Sequence, residues 1–309
     1  MRKWIWLTLA YTILVIVWGA WVRISHSGDG CGATWPLCQG QVVPTAAHSK
    51  TWIEYAHRMM SGIYGILVVA LAYWGHRRSE LSTQSRYWLK WTVVFMITEA
   101  LLGAKLVRSG LVADNDTPQR AFVMGLHFFN SLLLTGSFAL AALFAAQRTW
   151  RKRQSFVTIE FQKKWQQLGP ALLVGGFLLI GITGTVAALS NTLYPPDSLL
   201  AGLWADLNPH SHYLVRLRGL HPTLGILAGL SLAFAFYLTS QAIDESERRL
   251  RVRAMAVAIG FVSLVLVGSM TLLLQDPLPL RLMHLCLAHM QWILVLAFLQ
   301  CLFYEPAPA

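Results

Sequence analysis

The chain has 309 residues, 55% hydrophobic and only 13% charged, with 13 tryptophans and a formal net charge of +11. Soluble domains carry about 25% charged residues, so this composition excludes an ordinary soluble domain and indicates an integral membrane protein. The basic excess is confined to short loops between apolar stretches, which argues against nucleic acid as a partner.

Eight apolar stretches follow one another at residues 4–22, 52–74, 87–107, 121–146, 168–189, 219–240, 254–274 and 280–304. Each approaches or exceeds the roughly 20 residues that cross a bilayer as helix. The first is too long, and too unlike a small-residue cleavage site, to be a removable signal; a retained helix is expected. Arg2 and Lys3 precede it, and Arg77, Arg78 and Arg86 separate the second and third stretches. Arg148, Arg151, Lys152, Arg153, Lys163 and Lys164 follow the fourth, and Arg248, Arg249, Arg251 and Arg253 follow the sixth. In a bundle of alternating direction all of these lie on one side, which the positive-inside rule makes cytoplasmic. Both termini are then cytoplasmic, and the opposite loops hold Asp114, Asp116, Asp197 and Asp206.

The two halves read as parallel copies of one unit. Gly19-Ala20-Trp21-Val22-Arg23-Ile24-Ser25 ends the first stretch and Gly184-Thr185-Val186-Ala187-Ala188-Leu189-Ser190 ends the fifth. Leu101-Leu102-Gly103 in the third matches Leu266-Val267-Gly268 in the seventh. The expected fold is therefore an all-α membrane protein, with eight transmembrane helices in two pseudo-symmetric four-helix bundles. Residues 1–150 form the N-terminal bundle, 151–164 a basic cytoplasmic linker and 165–309 the C-terminal bundle. Two outer loops are long: 23–51, with Cys31 and Cys38, and 191–218, with an amphipathic stretch at 198–207 that suits the membrane interface.

Four histidines carry the chemistry. His57, His127, His221 and His284 each lie one or two turns inside an even-numbered stretch, so all four sit at one depth near the outer face. Ionisable groups in a membrane are costly and generally functional. Imidazoles facing each other across a bundle can supply both axial ligands to a haem iron, with His57 paired to His127 and His221 to His284. Arg23, Arg108, Arg216 and Arg218 are candidates for the propionates. His26, His48, His210 and His212 lie in outer loops and His76 adjoins the cytoplasmic arginines. His289 follows His284 by five residues and points about 140° away around a helix; it stands as an alternative ligand or a supporting group.

Glu54 precedes His57 by three residues and shares its helix face. It could orient the imidazole, act on a bound substrate, or serve as a rim carboxylate paired with Arg58 or Arg23. The second half has Arg218 at the matching place, so the two sites differ. Glu99, in mid-helix, has no evident partner, Lys105 being nearly two turns away. Cys31 and Cys38 lie on the oxidising side, where they can form a disulfide, either a structural staple or a redox pair. Cys286 and Cys301 read as small apolar packing residues.

The segment from Gly19 to Ser25, followed by Cys31 and Trp35-Pro36-Leu37-Cys38, resembles the first helix and loop of haem A synthases. Glu54-Tyr55-Ala56-His57-Arg58, Leu126-His127 with Asn130, His221, and His284-Leu285-Cys286-Leu287-Ala288 with Trp292 are similar to the other family motifs, in order along the whole chain. The resemblance implies an enzyme of the bacterial cytoplasmic (inner) membrane that oxidises a methyl group of haem O to the formyl group of haem A, for cytochrome c oxidase. It implies a resident haem b on His221 and His284 and a substrate haem between His57 and His127. It implies, too, that Glu54 is the carboxylate needed for the chemistry and that a haem O synthase is the partner. Some members carry a second cysteine pair in the third outer loop, and 191–218 has none. The rival readings are a di-haem cytochrome b carrying electrons and a haem transporter or chaperone. The electron partner and any homo-oligomer stay open.

Overall fold

The structure is a computed structural model describing residues 1–45, 48–77, 80–153 and 160–307. Arg78 and residues 154–159 of the expected linker lie outside the described residues, as do the side chains of Lys163 and Lys164. Backbone amides in lipid must find partners within their own segment, and the apolar stretches accordingly fold as helices. In chain order these are α1 (Arg2–Ile24), α2 (Ser49–Arg77), α3 (Thr83–Arg108), α4 (Pro118–Phe144), α5 (Glu160–Leu193), α6 (Leu199–Leu207), α7 (Tyr213–Arg218), α8 (Leu220–Ala242), α9 (Arg248–Leu273) and α10 (Leu278–Phe303). Two three-residue strands, β1 (Trp150–Lys152) and β2 (Tyr304–Pro306), pair antiparallel and tie the segment after α4 to the segment after α10.

Polar residues set the helix starts where the sequence changes character. Ser82 accepts from the Ser85 N–H at 3.1 Å to begin α3. Thr117 caps α4 with Pro118 at its first position, where a missing N–H costs nothing. Ser198 caps α6, which lies in the loop between α5 and α8, and Leu200, Leu203, Trp204 and Leu207 of that helix are exposed.

Seven spans among the described residues are long and apolar enough to cross a membrane: α1, α2, α4, Leu168–Leu193, Tyr213–Ala242, Glu245–Leu273 and α10. This differs from the expected eight. The difference is α3, which has 26 residues but carries Arg86, Lys90, Glu99, Lys105 and Arg108, enough charge to lower its hydropathy. It packs against α2 and α4.

In the first half α1, α2, α3 and α4 are successive neighbours, and α4 returns to α1. In the second, α5 packs on α8, α8 on α9 and α9 on α10. The halves meet where α4 packs on α5 and α10, and α1 on α10. The seam is close because α4 carries small residues there. A Cβ on Gly136 would lie 2.7 Å from Trp292 Nε1, and that indole N–H donates to the Leu132 carbonyl at 2.8 Å. One apolar cluster joins Ile5, Tyr64, Val68, Leu89 and Phe138; another joins Leu132, Phe177, Phe236, Phe261 and Trp292, so α4 contributes to both.

Candidate functional site

Each of the four histidines rests against a glycine on the preceding long helix. A Cβ on Gly19 of α1 would lie 2.9 Å from His57 Cε1, one on Gly184 of α5 2.8 Å from His221 Cε1, and one on Gly268 of α9 2.9 Å from His284 Cε1. The fourth contact is looser, with Gly103 of α3 at 4.0 Å from His127 Cε1. Absence of a side chain is what makes room for three of these rings. Gly184→Ala is expected to force the His221 ring aside and lower stability by about 1–3 kcal/mol, the usual cost of overpacking. Gly103→Ala is expected to be tolerated. Thermal unfolding in detergent compares them, and equal melting temperatures would contradict the wedge.

In the second half the rings of His221 and His284 face each other, their centroids 6.1 Å apart and their planes 75° apart. His221 Nδ1 lies 3.2 Å from the Ile180 carbonyl and 3.4 Å from Thr183 Oγ1. Donation from Nδ1 leaves Nε2 as the free ligand atom, the usual arrangement of a metal-bound histidine. His284 Nδ1 is buried without a hydrogen-bond partner. Two metal–imidazole bonds of roughly 2 Å, with each ring centre set back roughly 1 Å further, place centroids about 6 Å apart. The pair therefore fits one iron held between two imidazoles. Among the described residues no group of three or more His, Cys, Asp or Glu side chains could hold a metal ion; a haem needs only two protein ligands.

His289 takes no part in this pair. It is fully buried, its Nδ1 is 3.2 Å from Thr135 Oγ1 of α4, and its ring meets Phe128 edge-on at 5.9 Å. It faces the seam between the halves.

In the first half, His57 Nδ1 and His127 Nδ1 are both buried without a hydrogen-bond partner. Glu54 shares a helix with His57 but bonds elsewhere. Its Oε2 accepts from the Cys31 N–H at 2.8 Å, and its Oε1 accepts from Arg58 Nε and Nη2 at 3.1 and 2.6 Å. Of the two arginines considered for a rim pair, Arg58 is the partner. Its Nη1 reaches onward to the carbonyls of Thr34 and Leu37 at 2.6 and 2.5 Å. Cys31 and Cys38 are joined as a disulfide, so Glu54 and Arg58 together fasten the disulfide loop onto the outer end of α2. Gly30 lets that loop lie directly on the helix start: a Cβ there would be 2.5 Å from the Lys50 backbone. Cys286 and Cys301 are free.

The four candidate propionate arginines separate into two kinds. Arg218 is spent on protein groups, with Nε and Nη2 on Asp206 at 2.9 and 2.6 Å, Nη2 on the Gly202 carbonyl, and Nη1 on Asn191 and the Tyr194 carbonyl. Arg23 Nη1 crosses between the halves to the Ala188 carbonyl at 2.7 Å and Thr192 Oγ1 at 2.9 Å. Arg218 is a structural pin, because a guanidinium with all three nitrogens on fixed acceptors has little left to offer a ligand; Arg23 spends only Nη1 in this way. Arg108 and Arg216 are exposed and bond to no protein group among the described residues.

Three features escape a reading along the chain. Glu99 does have partners, but they are on α4: Asn130 Nδ2 donates at 2.6 Å, Ser131 Oγ donates to Oε1, and His127 Nδ1 stands 3.4 Å away. Its mid-helix position was the available signal. Arg58 was visible only as one candidate partner of Glu54. Asp116 ties the loop between α3 and α4 to the segment between α5 and α8. It accepts from Tyr194 Oη at 2.5 Å, and its carbonyl accepts from Tyr213 Oη at 2.8 Å. The tyrosine hydroxyl holds the Asp116 carboxyl below its ordinary range, and the same bond pushes Tyr194 up to about 12.

Seven long apolar helices among the described residues, with His221 and His284 facing each other between two of them, define a multi-pass α-helical membrane protein. Residues 2–296 match COX15-CtaA, described as cytochrome oxidase assembly protein, and the chain belongs to this family, which includes the haem A synthases. It is 35% identical over 291 residues to a protein of Thermus thermophilus named protoheme IX farnesyltransferase, covering 94% of this chain and 46% of that one. It is 30% identical over 264 residues to heme A synthase of Shouchella clausii, covering 83% of this chain and 80% of the other. A heme A synthase of Symbiobacterium thermophilum is 39% identical over 124 residues, 40% of this chain and 38% of that one. The chain thus spans about half the length of the farnesyltransferases it matches. The long apolar helices and the bacterial relatives place it in the bacterial inner membrane as a multi-pass protein.

Proposed function

We propose that this protein is a membrane oxidoreductase that converts a methyl substituent of haem O to the formyl group of haem A, for assembly of cytochrome c oxidase. The observation that carries this reading is the unlike surroundings of the histidines in the two halves. His221 and His284 face each other with a backbone carbonyl as support and, among the described residues, no carboxylate beside them. His57 follows Glu54, which with Arg58 fastens a disulfide loop to the start of α2, and His127 stands beside Glu99.

In this reading His221 and His284 hold a resident haem b, which supplies one-electron transfer when bound. His57 and His127 hold the substrate haem. Exposed Arg108 and Arg216 remain for propionates. Glu54 holds the loop that covers the substrate and is the carboxylate through which the chemistry depends on that loop. Taking the methyl carbon through hydroxymethyl and gem-diol to formyl adds one oxygen, net from water, and releases four protons and four electrons, the electrons passing to an external one-electron acceptor.

The topology that goes with it takes α3 as an eighth crossing, whose charged side chains face its neighbours or the two rims. Residues 1–150 and 165–309 then form two four-helix bundles, with 151–164 between them and both termini cytoplasmic. A haem O synthase is the partner that delivers substrate. Supporting this, the Thermus relative carries its homologous segment within a longer chain named for protohaem IX farnesyl transfer.

Glycine-seated imidazoles in both halves also fit a di-haem electron carrier. Expression in a host that makes haem O but no haem A, followed by chromatography of extracted haems, separates the two. Haem A or its hydroxylated precursor is expected. Folded, haem-loaded protein that yields neither would overturn the assignment.

A further inference from the structure

Three of the four imidazoles are wedged against a glycine within 3 Å of where its Cβ would be, and His127 is the exception at 4.0 Å. Some other group must set the angle of that ring. Glu99 Oε1 stands at ion-pair distance from His127 Nδ1, 3.4 Å, and that buried nitrogen has no competing hydrogen-bond partner among the described residues.

The carboxylate is itself held rigidly. Asn130 Oδ1 accepts from Thr98 Oγ1 at 2.7 Å, which fixes the amide so that Nδ2 donates both to the Phe95 carbonyl at 2.8 Å and to Glu99 Oε2 at 2.6 Å. Ser131 Oγ donates to Glu99 Oε1 and lies 3.0 Å from the His127 carbonyl. His127, Asn130 and Ser131 are spaced by three and four residues, so they share one face of α4. Three donor-bearing groups converge on Glu99, the environment of an ionised, acceptor-only carboxylate. In the second half, the residue four before Gly268 is Leu264, whereas Glu99 is four before Gly103. The resident pair has no counterpart.

We infer that Glu99 is the positioning residue of the first-half site: it accepts the Nδ1–H of His127, fixes the ring so that Nε2 presents its lone pair to the substrate iron, and makes that imidazole the stronger donor. A carboxylate behind a ligating histidine is a general means of orienting the ring and raising its basicity. The inference rests on the proposed reading of His57 and His127 as a haem site.

The test uses the purified full-length chain in detergent, titrated with ferric haem b. Affinity and midpoint potential are read spectroscopically for the uptake lost in His57→Ala and His127→Ala. In Glu99→Leu, first-half affinity is expected to fall roughly 10–100-fold, the usual effect of removing such a partner. In Glu99→Gln, which keeps an acceptor without the charge, affinity is expected to hold within a few-fold while the midpoint potential rises. The second-half haem spectrum is expected to be unchanged in both, which reports that the fold survives. First-half affinity and potential in both variants equal to those of the unsubstituted chain would overturn the inference. Should Glu99→Leu fail to fold, an unaltered potential in Glu99→Gln alone overturns it. If the unsubstituted chain takes up no haem sensitive to His57 or His127, the two-site reading itself falls, and the inference with it. That failure is distinct from unaltered binding in the variants.

Discussion

Glu54→Ala is expected to abolish haem A formation while leaving the second-half haem bound. Glu54 is 3% exposed, and its two oxygens accept from Cys31 and Arg58. Removing it leaves the Arg58 guanidinium without its counter-charge and the Cys31 N–H without an acceptor. Breaking one side of such a buried pair costs roughly 3–5 kcal/mol, enough to release the disulfide loop from α2. The second-half imidazoles lie on α8 and α10 and share none of these bonds. The measurement is the haem A content of extracts beside the absorbance of the retained haem. Arg58→Ala distinguishes two ways in which Glu54 could be needed. If its sole task is to fasten the loop, Arg58→Ala loses as much product as Glu54→Ala. If the carboxylate also acts on the substrate, Arg58→Ala loses less. Normal haem A yield from Glu54→Ala would remove Glu54 from the proposed mechanism altogether.

His221→Ala and His284→Ala are each expected to lose the resident haem completely, whereas His289→Ala retains it. The reason is geometric. The ring of His284 meets that of His221 at a centroid distance of 6.1 Å, while His289 bonds across the seam to Thr135. His289→Ala leaves a cavity between α4 and α10, so its expected cost is in stability, about 2–5 kcal/mol by analogy with other large-to-small core changes. Haem per polypeptide, taken from the absorbance of purified protein, decides it. Retention of haem by His284→Ala together with loss in His289→Ala would reverse the assignment.

The histidines show how far the chain alone could be read. Apolar runs, basic loops and the repeat of Gly19 with Gly184 and Gly103 with Gly268 are local or periodic properties. They were enough to identify a membrane protein and to single out His57, His127, His221 and His284. The choice between His284 and His289 depends on how α10 is rotated about its axis, and that follows from Trp292 and His289 packing onto α4. Glu54 illustrates a second kind of gap. Its place three residues before His57 suggested a shared task, yet a carboxylate on the first turns of a helix can also reach the loop above. Only the folded course of residues 31–38 brings Cys31 to it. The charged residues of α3 sit within an apolar stretch, and they lower its hydropathy below that of the other long helices.

By itself, then, the sequence determined the membrane character, the order of the long helices and the family, because hydropathy, charge and motif order are written along one chain. The tertiary structure alone decided which groups meet. It seated three rings on glycine, gave Glu54 to the disulfide loop, gave Glu99 to α4 beside His127, and consumed Arg218 as a pin. Those pairings are set by helix rotation and by contacts between segments far apart in the chain, where the cost of an unpaired buried charge leaves one arrangement.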